Sequence, residues 1–561
     1  MTAFDAPGRH LWTWLLVTAG SLLLALRFGF NFGIGNHNTY LLHALRQVHP
    51  DLLTHDWLAS TQDFHPVFSQ LAALLLRFDG SGWLFALMNV LCIATGAVVV
   101  YLIVREVGGE RLAVPAYLLV VAFMGVGSTY SASGSYLFSM TFQPSTLAAA
   151  GYLLAMLWFL RQKYLASGLC LAVAGAFHVN FAVLAFPLFA LAHLFSGRVG
   201  WLKRSVWQLA PVCITLAALS PLLLSQSQSP HLDQARFIYQ QVLSPQHYFP
   251  RTFWTEFVVY FAWCGLGLVA GRSLFSDSPP DRRLRALWLS SLVLVTVATL
   301  LTTVVFLPAV SQLYFWRLAP FTVLFSQILG AVGIVRHLSS EDSRLPALRR
   351  TMVFILCAVP IWFLFRFHYG ESRSLQYGLL IALALIFYLR PLILRFSPLR
   401  ERSLTAVTVA GVWLVAALVP AASVASRSNL LSGLPADEAE LYRWAATTPT
   451  ESVFLIPPQL ENFRFNARRA VVADFKSTPV DPEQLLEWYR RIGLVCGDSA
   501  VAGLGACVAG YGMLDSVRVA SIHASYPFDY VIVSSDQPFA LETGLDAAFE
   551  NSKYVVYKQS P

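Results

Sequence analysis

Charge is what this sequence has least of. Only 12% of its 561 residues are Asp, Glu, Lys or Arg, against 56% that are hydrophobic; an ordinary soluble domain carries about 25% charged residues. Cysteine is sparse too, seven in all, and no two stand in the C-x-x-C spacing of a zinc site. No internal repeat stands out, which counts against a transporter built from inverted repeats. The short segments of alternating polarity that build a membrane-spanning barrel are missing. No small-residue cleavage site follows the first apolar run, Leu11 to Phe28, so that run is expected to persist as a helix.

Long apolar runs take the place of charge. They recur through residues 1–425 at roughly the twenty-residue length that carries a helix across a bilayer. Thirteen spans are expected, at about 11–28, 83–104, 112–128, 145–160, 164–178, 181–195, 206–225, 252–271, 286–307, 313–335, 351–366, 375–389 and 404–425. The segment Val67–Phe78 is too short to cross and reads as an interfacial helix. Residues 1–425 hold 28 Lys/Arg against 15 Asp/Glu, and residues 426–561 hold 11 against 16. The basic excess sits in short loops between spans, which argues for topology and against nucleic acid. With the N-terminus inside, the cytoplasmic loops carry nineteen Lys/Arg and the outer ones seven. The expected orientation is therefore N-terminus cytoplasmic and C-terminus extracytoplasmic.

After Ala425 the pattern changes. LPADEAELYRWA and DPEQLLEWYRRIG read as helices, the first with Pro435 and acids at its start. VFLIPP, RAVVADF, YVIVSS and YVVYKQ have the β-branched and aromatic character of strands. The chain thus divides into a transmembrane part, 1–425, with a long first outer loop at 29–82, and a small outer α/β domain, 426–561.

That first loop holds HPDLLTHDWLASTQDFHP, residues 49–66, where three His and three Asp crowd into eighteen positions. Polar residues near the outer ends of the spans join it: Glu256, Arg317, His178 and Asn180, with Gln143 in an outer loop. Ionisable groups in such places are costly and mark function by default. A lipid-phosphate donor in the outer leaflet suits this layout, with Arg317 holding the phosphate and His178, Gln143 and Asn180 beside it. Asp56 is the expected general base or ligand of a divalent cation, Mg or Mn, with Asp63 and His65 assisting. Asp51 more plausibly caps a turn. His37, His43, His49 and His55 recur every six residues, which fits no helix face and no tight metal cluster. Cys496 and Cys507, the two cysteines of the outer domain, are positioned to pair in an oxidising compartment.

Thirteen spans, a long first outer loop with an interfacial helix, and a terminal outer α/β domain resemble the GT-C superfamily of integral membrane glycosyltransferases. The strings NHNTYLLHAL, HPDLLTHDW, FHPVF, FHVNF and FRFNARRAVVADFKSTP are similar to those of a bacterial membrane family grouped near these enzymes. The resemblance implies a polytopic α-helical protein that transfers a hexosyl or pentosyl unit from a polyprenyl-phosphate-linked sugar to a glycan, lipid or protein acceptor. Many GT-C enzymes carry an acid just beyond the first span. Here that position reads FGFNFGIGNHNTY, with Asn36, His37 and Asn38, so the loop acid is carried over to Asp56. The alternative on the same residues is a transporter, flippase or binding scaffold for a lipid-linked glycan.

Overall fold

Apolar backbone in a bilayer must satisfy its own hydrogen bonds, and this chain does so with helices. The structure, a computed structural model, describes residues 8–127, 132–197, 199–270, 278–305, 307–339, 433–497, 502–536 and 546–559. The first ten expected spans coincide with helices, from Gly8–Phe28 and Trp83–Gly108 to Pro279–Thr303 and Ala319–Ser339. The last three, at 351–366, 375–389 and 404–425, lie outside the described residues. Five helical stretches, Trp83–Gly108, Val179–Ser196, Trp201–Leu224, Pro279–Thr303 and Val310–Gly333, are long and apolar enough to cross a membrane alone.

Helices in lipid gain little from hydrophobicity against one another, so close approach and buried hydrogen bonds hold them together. A Cβ on Gly168 would collide with the backbone of Gln208, so this glycine lets Tyr164–Phe177 press against Trp201–Ser227. At the same crossing Gln208 Nε2 donates to Ser167 Oγ (2.8 Å), and Gln208 Oε1 meets His193 Nε2 (2.7 Å).

The first outer loop is folded rather than draped. It contains helices at His37–Tyr40, Leu42–Val48 and Pro66–Phe78. The last starts with Pro at its first turn, where a missing N–H costs nothing, and buries Phe68, Ala72 and Leu76. Val67, Leu74 and Phe78 remain exposed, the apolar outward face that an interfacial helix needs.

The outer domain is a five-stranded sheet in the order β2-β1-β3-β5-β4. Its strands are β1 Val453–Leu455, β2 Ala470–Val471, β3 Tyr530–Ser534, β4 Asp546–Glu550 and β5 Tyr554–Lys558. β1 lies parallel to β2 and β3, while β5 runs antiparallel to both β3 and β4. Four of the five match the strand-like runs of the sequence. β4, in DAAFE, has too few β-branched residues to announce itself. Both faces of the sheet are covered: Leu455, Val531 and Val533 pack with Trp488 and Ile492 on one side, and Phe454 and Ile532 pack with Leu441 and Tyr442 on the other. Ala235, Ile238 and Val242, from the outer segment between two spans, join the first of these cores. Phe465 joins the core of the first outer loop. The outer domain is therefore packed onto the membrane part at two places.

His37 anchors the beginning of that loop. Its Nδ1 accepts from Gly33 N (3.1 Å) and its Nε2 donates to the Phe142 carbonyl (2.9 Å), so the ring is neutral and of one tautomer. Gly33 turns there with φ +72°, and a Cβ would sit 2.9 Å from Asn466 Oδ1 of the outer domain. Burial pushes the His37 pKa down to about 4. Unfolded, the ring takes a proton near its ordinary 6.5. The native state therefore binds fewer protons than the unfolded one, and stability falls as pH drops from 6.5 to about 4. Melting temperature against pH is expected to show that slope, and His37→Gln, less stable throughout, to flatten it. An unaltered slope in the variant would remove His37 as its source.

Candidate active site

The acids of HPDLLTHDWLASTQDFHP have different fates. Asp56 is 1% exposed. Its Oδ2 accepts from Arg464 Nε (2.7 Å) and Val471 N (3.1 Å), and its Oδ1 accepts from Ala59 N (2.9 Å). Arg464 also donates to Asp474. Burial works against the charged guanidinium, but Asp56 and Asp474 outweigh it and hold the Arg464 pKa above its ordinary value. Both oxygens of Asp56, the acid expected to react or to bind a metal, are engaged by N–H groups of the protein. The Arg464 side chain that engages Oδ2 lies 408 positions later, beyond the reach of any local pattern.

Asp63 is placed differently. It lines a cavity of about 220 Å³ walled by the first outer loop, by Tyr239, and by Lys476 to Val480 of the outer domain. Its Oδ1 accepts from His65 N (2.9 Å), a turn typical of Asp that fixes the backbone between them. Tyr239 hydroxyl donates to Pro479 O (3.0 Å) and closes the wall. Asp474 sets the wall's other end, its Oδ1 accepting from Lys476 N (3.0 Å) and Ser477 N (2.6 Å). His65 also lines the cavity. Its Nδ1 donates to the Phe177 carbonyl (3.2 Å), and burial pushes its pKa down to about 4. The ring is neutral at pH 7, which leaves Nε2 as its acceptor.

From His65 an unbroken run of side chains leads toward the bundle. The His65 and His178 rings are 5.2 Å apart, and His178 is 5.5 Å from Phe181. The Arg317 guanidinium lies over Phe181 at 5.7 Å and over Tyr314 at 5.1 Å. Tyr314 adopts φ +53°, a conformation that costs a bulky residue energy and marks sites held by their surroundings. Its hydroxyl donates to Ser133 O (3.1 Å) and meets His247 Nδ1 (3.0 Å). Asn180 Nδ2 donates to Leu313 O (2.8 Å) in the same neighbourhood. Arg317 Nε, His178 Nδ1 and Asn180 Oδ1 are buried and make no hydrogen bond. Leaving such groups unmet costs about 1–3 kcal/mol each, so the cluster favours a polar ligand.

Five residues singled out in the sequence, Asp63, His65, His178, Asn180 and Arg317, thus belong to one continuous arrangement. Gln143 stands behind it. Fully buried, it accepts from Asn36 Nδ2 (2.9 Å) and donates to Tyr136 hydroxyl (2.5 Å) and Ser145 Oγ (2.9 Å). Gln143 therefore orients Asn36, which does line the cavity. Glu256 sits in the first turn of Trp254–Ala270, away from the cavity lining. Cys496 and Cys507 are disulfide-bonded, with Cα atoms 4.7 Å apart, in the core of the outer domain. Lys476, Thr478, Tyr239 and Arg464 went unmarked in the sequence. The signal for three of them was FRFNARRAVVADFKSTP, whose polar residues return to the first loop only in three dimensions.

Among the described residues no three His, Cys, Asp or Glu side chains converge, and Asp63 is the one carboxylate lining the cavity. Mg²⁺ and Mn²⁺ favour several oxygen ligands.

Helix bundle, folded first long loop and packed C-terminal α/β domain together form a fold that the chain shares with solved structures. Over 99% of its length the chain matches ArnT from Cupriavidus metallidurans bound to undecaprenyl phosphate, covering 98% of that chain at 14% identity and a TM-score of 0.54. ArnT in the apo state matches at 15% identity and the same TM-score, with 98% of each chain covered. The Archaeoglobus fulgidus oligosaccharyltransferase in the apo form is more distant, with a TM-score of 0.47 and 12% identity over 95% of this chain and 70% of that one. Residues 436–495 match a domain of unknown function, DUF6798. No curated protein matches the chain.

Proposed function

We propose that the chain is a membrane glycosyltransferase that takes its sugar from a polyprenyl-phosphate donor on the extracytoplasmic side. The observation that carries this reading is the half-buried polar cluster of Arg317, His178 and Asn180, in which Arg317 Nε, His178 Nδ1 and Asn180 Oδ1 make no hydrogen bond, joined through His65 to the carboxylate of Asp63. Arg317 binds the donor phosphate with its fork of N–H donors. Asp63 accepts the proton of an acceptor hydroxyl, whose oxygen attacks the anomeric carbon while the bond to the phosphate oxygen breaks. The electron pair leaves on the phosphate, where Arg317 stabilises it. His65, neutral, offers Nε2 to a hydroxyl, and its backbone N–H holds the Asp63 carboxylate. Asp56 serves as a strut, and no step passes through a metal.

Arg317→Lys keeps the charge but loses the planar fork. It is expected to weaken undecaprenyl phosphate binding by roughly tenfold, the worth of one charge-assisted hydrogen bond, as read by native mass spectrometry or a binding titration. Unchanged affinity would remove Arg317 from the donor site. Binding of the lipid without any turnover of a lipid-linked sugar would favour a carrier instead. The proposed orientation in the bacterial inner membrane rests on the nineteen-to-seven division of loop charges. A reporter fused after Pro561 is expected to be active only outside the cytoplasm, and a cytoplasmic signal would reverse the topology.

A further inference from the structure

On the transferase reading above, we propose that the outer domain contributes an anion-binding subsite for the acceptor, with Lys476 as its cation. The cavity has one carboxylate, Asp63, and one ammonium, Lys476, in its lining, and they come from opposite ends of the chain. Asn36, Thr39 and Thr478 stand between the two elements with neutral hydrogen-bonding groups.

The lysine is placed but not committed. Its backbone is held by Asp474, and Asp474 by the buried Arg464. Its side chain is 42% exposed and meets only the partly exposed Glu461, at 3.0 Å. Exposed pairs of this kind are weak, so an incoming anion displaces the glutamate at little cost. Arg317, the cation of the donor end, is not part of this lining. The cavity lining therefore holds one acid from the first loop and one ammonium from the C-terminal domain, with Arg317 outside it.

That charge order selects an acceptor. A hydroxyl must approach Asp63 to lose its proton, while a negative group settles near Lys476 and away from the carboxylate. The acceptor is accordingly a hydroxyl compound with a phosphate or carboxylate on a neighbouring part of the molecule. The outer domain then reads the acceptor, and the bundle holds the donor.

Saturation-transfer NMR on the full-length protein in detergent, without donor, tests this with four probes: glycerol 1-phosphate, glucuronate, glycerol and glucose. At least one anionic probe is expected to bind wild type, with the phosphate and carboxylate arms telling which group the site prefers. Lys476→Gln is expected to weaken that binding about tenfold or more, Lys476→Arg to retain much of it, and neither to alter the signals of the neutral probes. Melting temperatures confirm that each variant is folded. Equal binding of the anionic probe in wild type and Lys476→Gln, or no anionic binding at all, overturns the subsite. Arg317→Lys separates the two readings, because it is expected to weaken undecaprenyl phosphate and spare the anionic probe. If the probe depends on Lys476 while the lipid ignores Arg317, the donor assignment fails and the subsite stands.

Discussion

Asp63→Asn is expected to lower sugar transfer by about 10²–10⁴-fold, the usual loss when a general base is removed, while the protein still folds and binds lipid. Asparagine keeps the size of the side chain and its carbonyl oxygen, so the bond from His65 N survives. What disappears is the oxygen that takes the proton. The fitting comparison is Asp56→Asn. Asp56 accepts three hydrogen bonds in a buried site, and an amide turns one of those acceptors into a donor facing N–H groups. Its expected effect is a loss of about 1–3 kcal/mol of stability, with transfer per folded molecule largely kept. Transfer assays normalised to folded protein, beside melting curves, decide the matter. Full activity in Asp63→Asn removes that residue from the chemistry, and an inactive but fully stable Asp56→Asn returns the reacting role to Asp56.

Removing Arg464 is expected to do more damage than removing either acid beside it. The three side chains carry two negative charges and one positive, all 2% exposed or less. Asp56→Asn leaves Arg464 paired with Asp474. Arg464→Gln leaves two buried carboxylates close together with no cation, and breaking a buried pair in this way costs about 3–5 kcal/mol. The loss is also local. Asp56 belongs to the first outer loop, whereas Arg464 and Asp474 belong to the outer domain, so the expected result is a lower melting temperature together with faster proteolysis at the join. A variant as stable and as protease-resistant as wild type would show that the apolar contacts of Phe465 and Ile238 hold the domain without the ion cluster.

Much of this was legible before any fold was known. The spans announce themselves because a membrane helix must be apolar along its whole length. Arg317, His178 and Asn180 stood out for a related reason, being polar where the neighbouring helix positions are apolar. Asp63 and His65 were visible in the crowded loop, although ranked behind Asp56. The choice among those acids was not legible. Asp56 and Asp63 sit seven residues apart in similar polar surroundings, and only the partner of each distinguishes them.

Local composition and periodicity by themselves determined that the chain is a helical membrane protein with a C-terminal α/β domain, since hydropathy and strand propensity act over tens of residues. They also determined where ionisable groups gather, because burying charge is costly wherever it happens. Tertiary structure alone decided what each group does. It returned residues 464–478 to the first long loop, joined Asp56 to Arg464, and set Lys476 in a cavity with Asp63. Hydrogen bonds and ion pairs act over about 3 Å whatever the separation along the chain. A residue's role is therefore set by whatever the fold brings to its side, and here that came from more than 400 positions away.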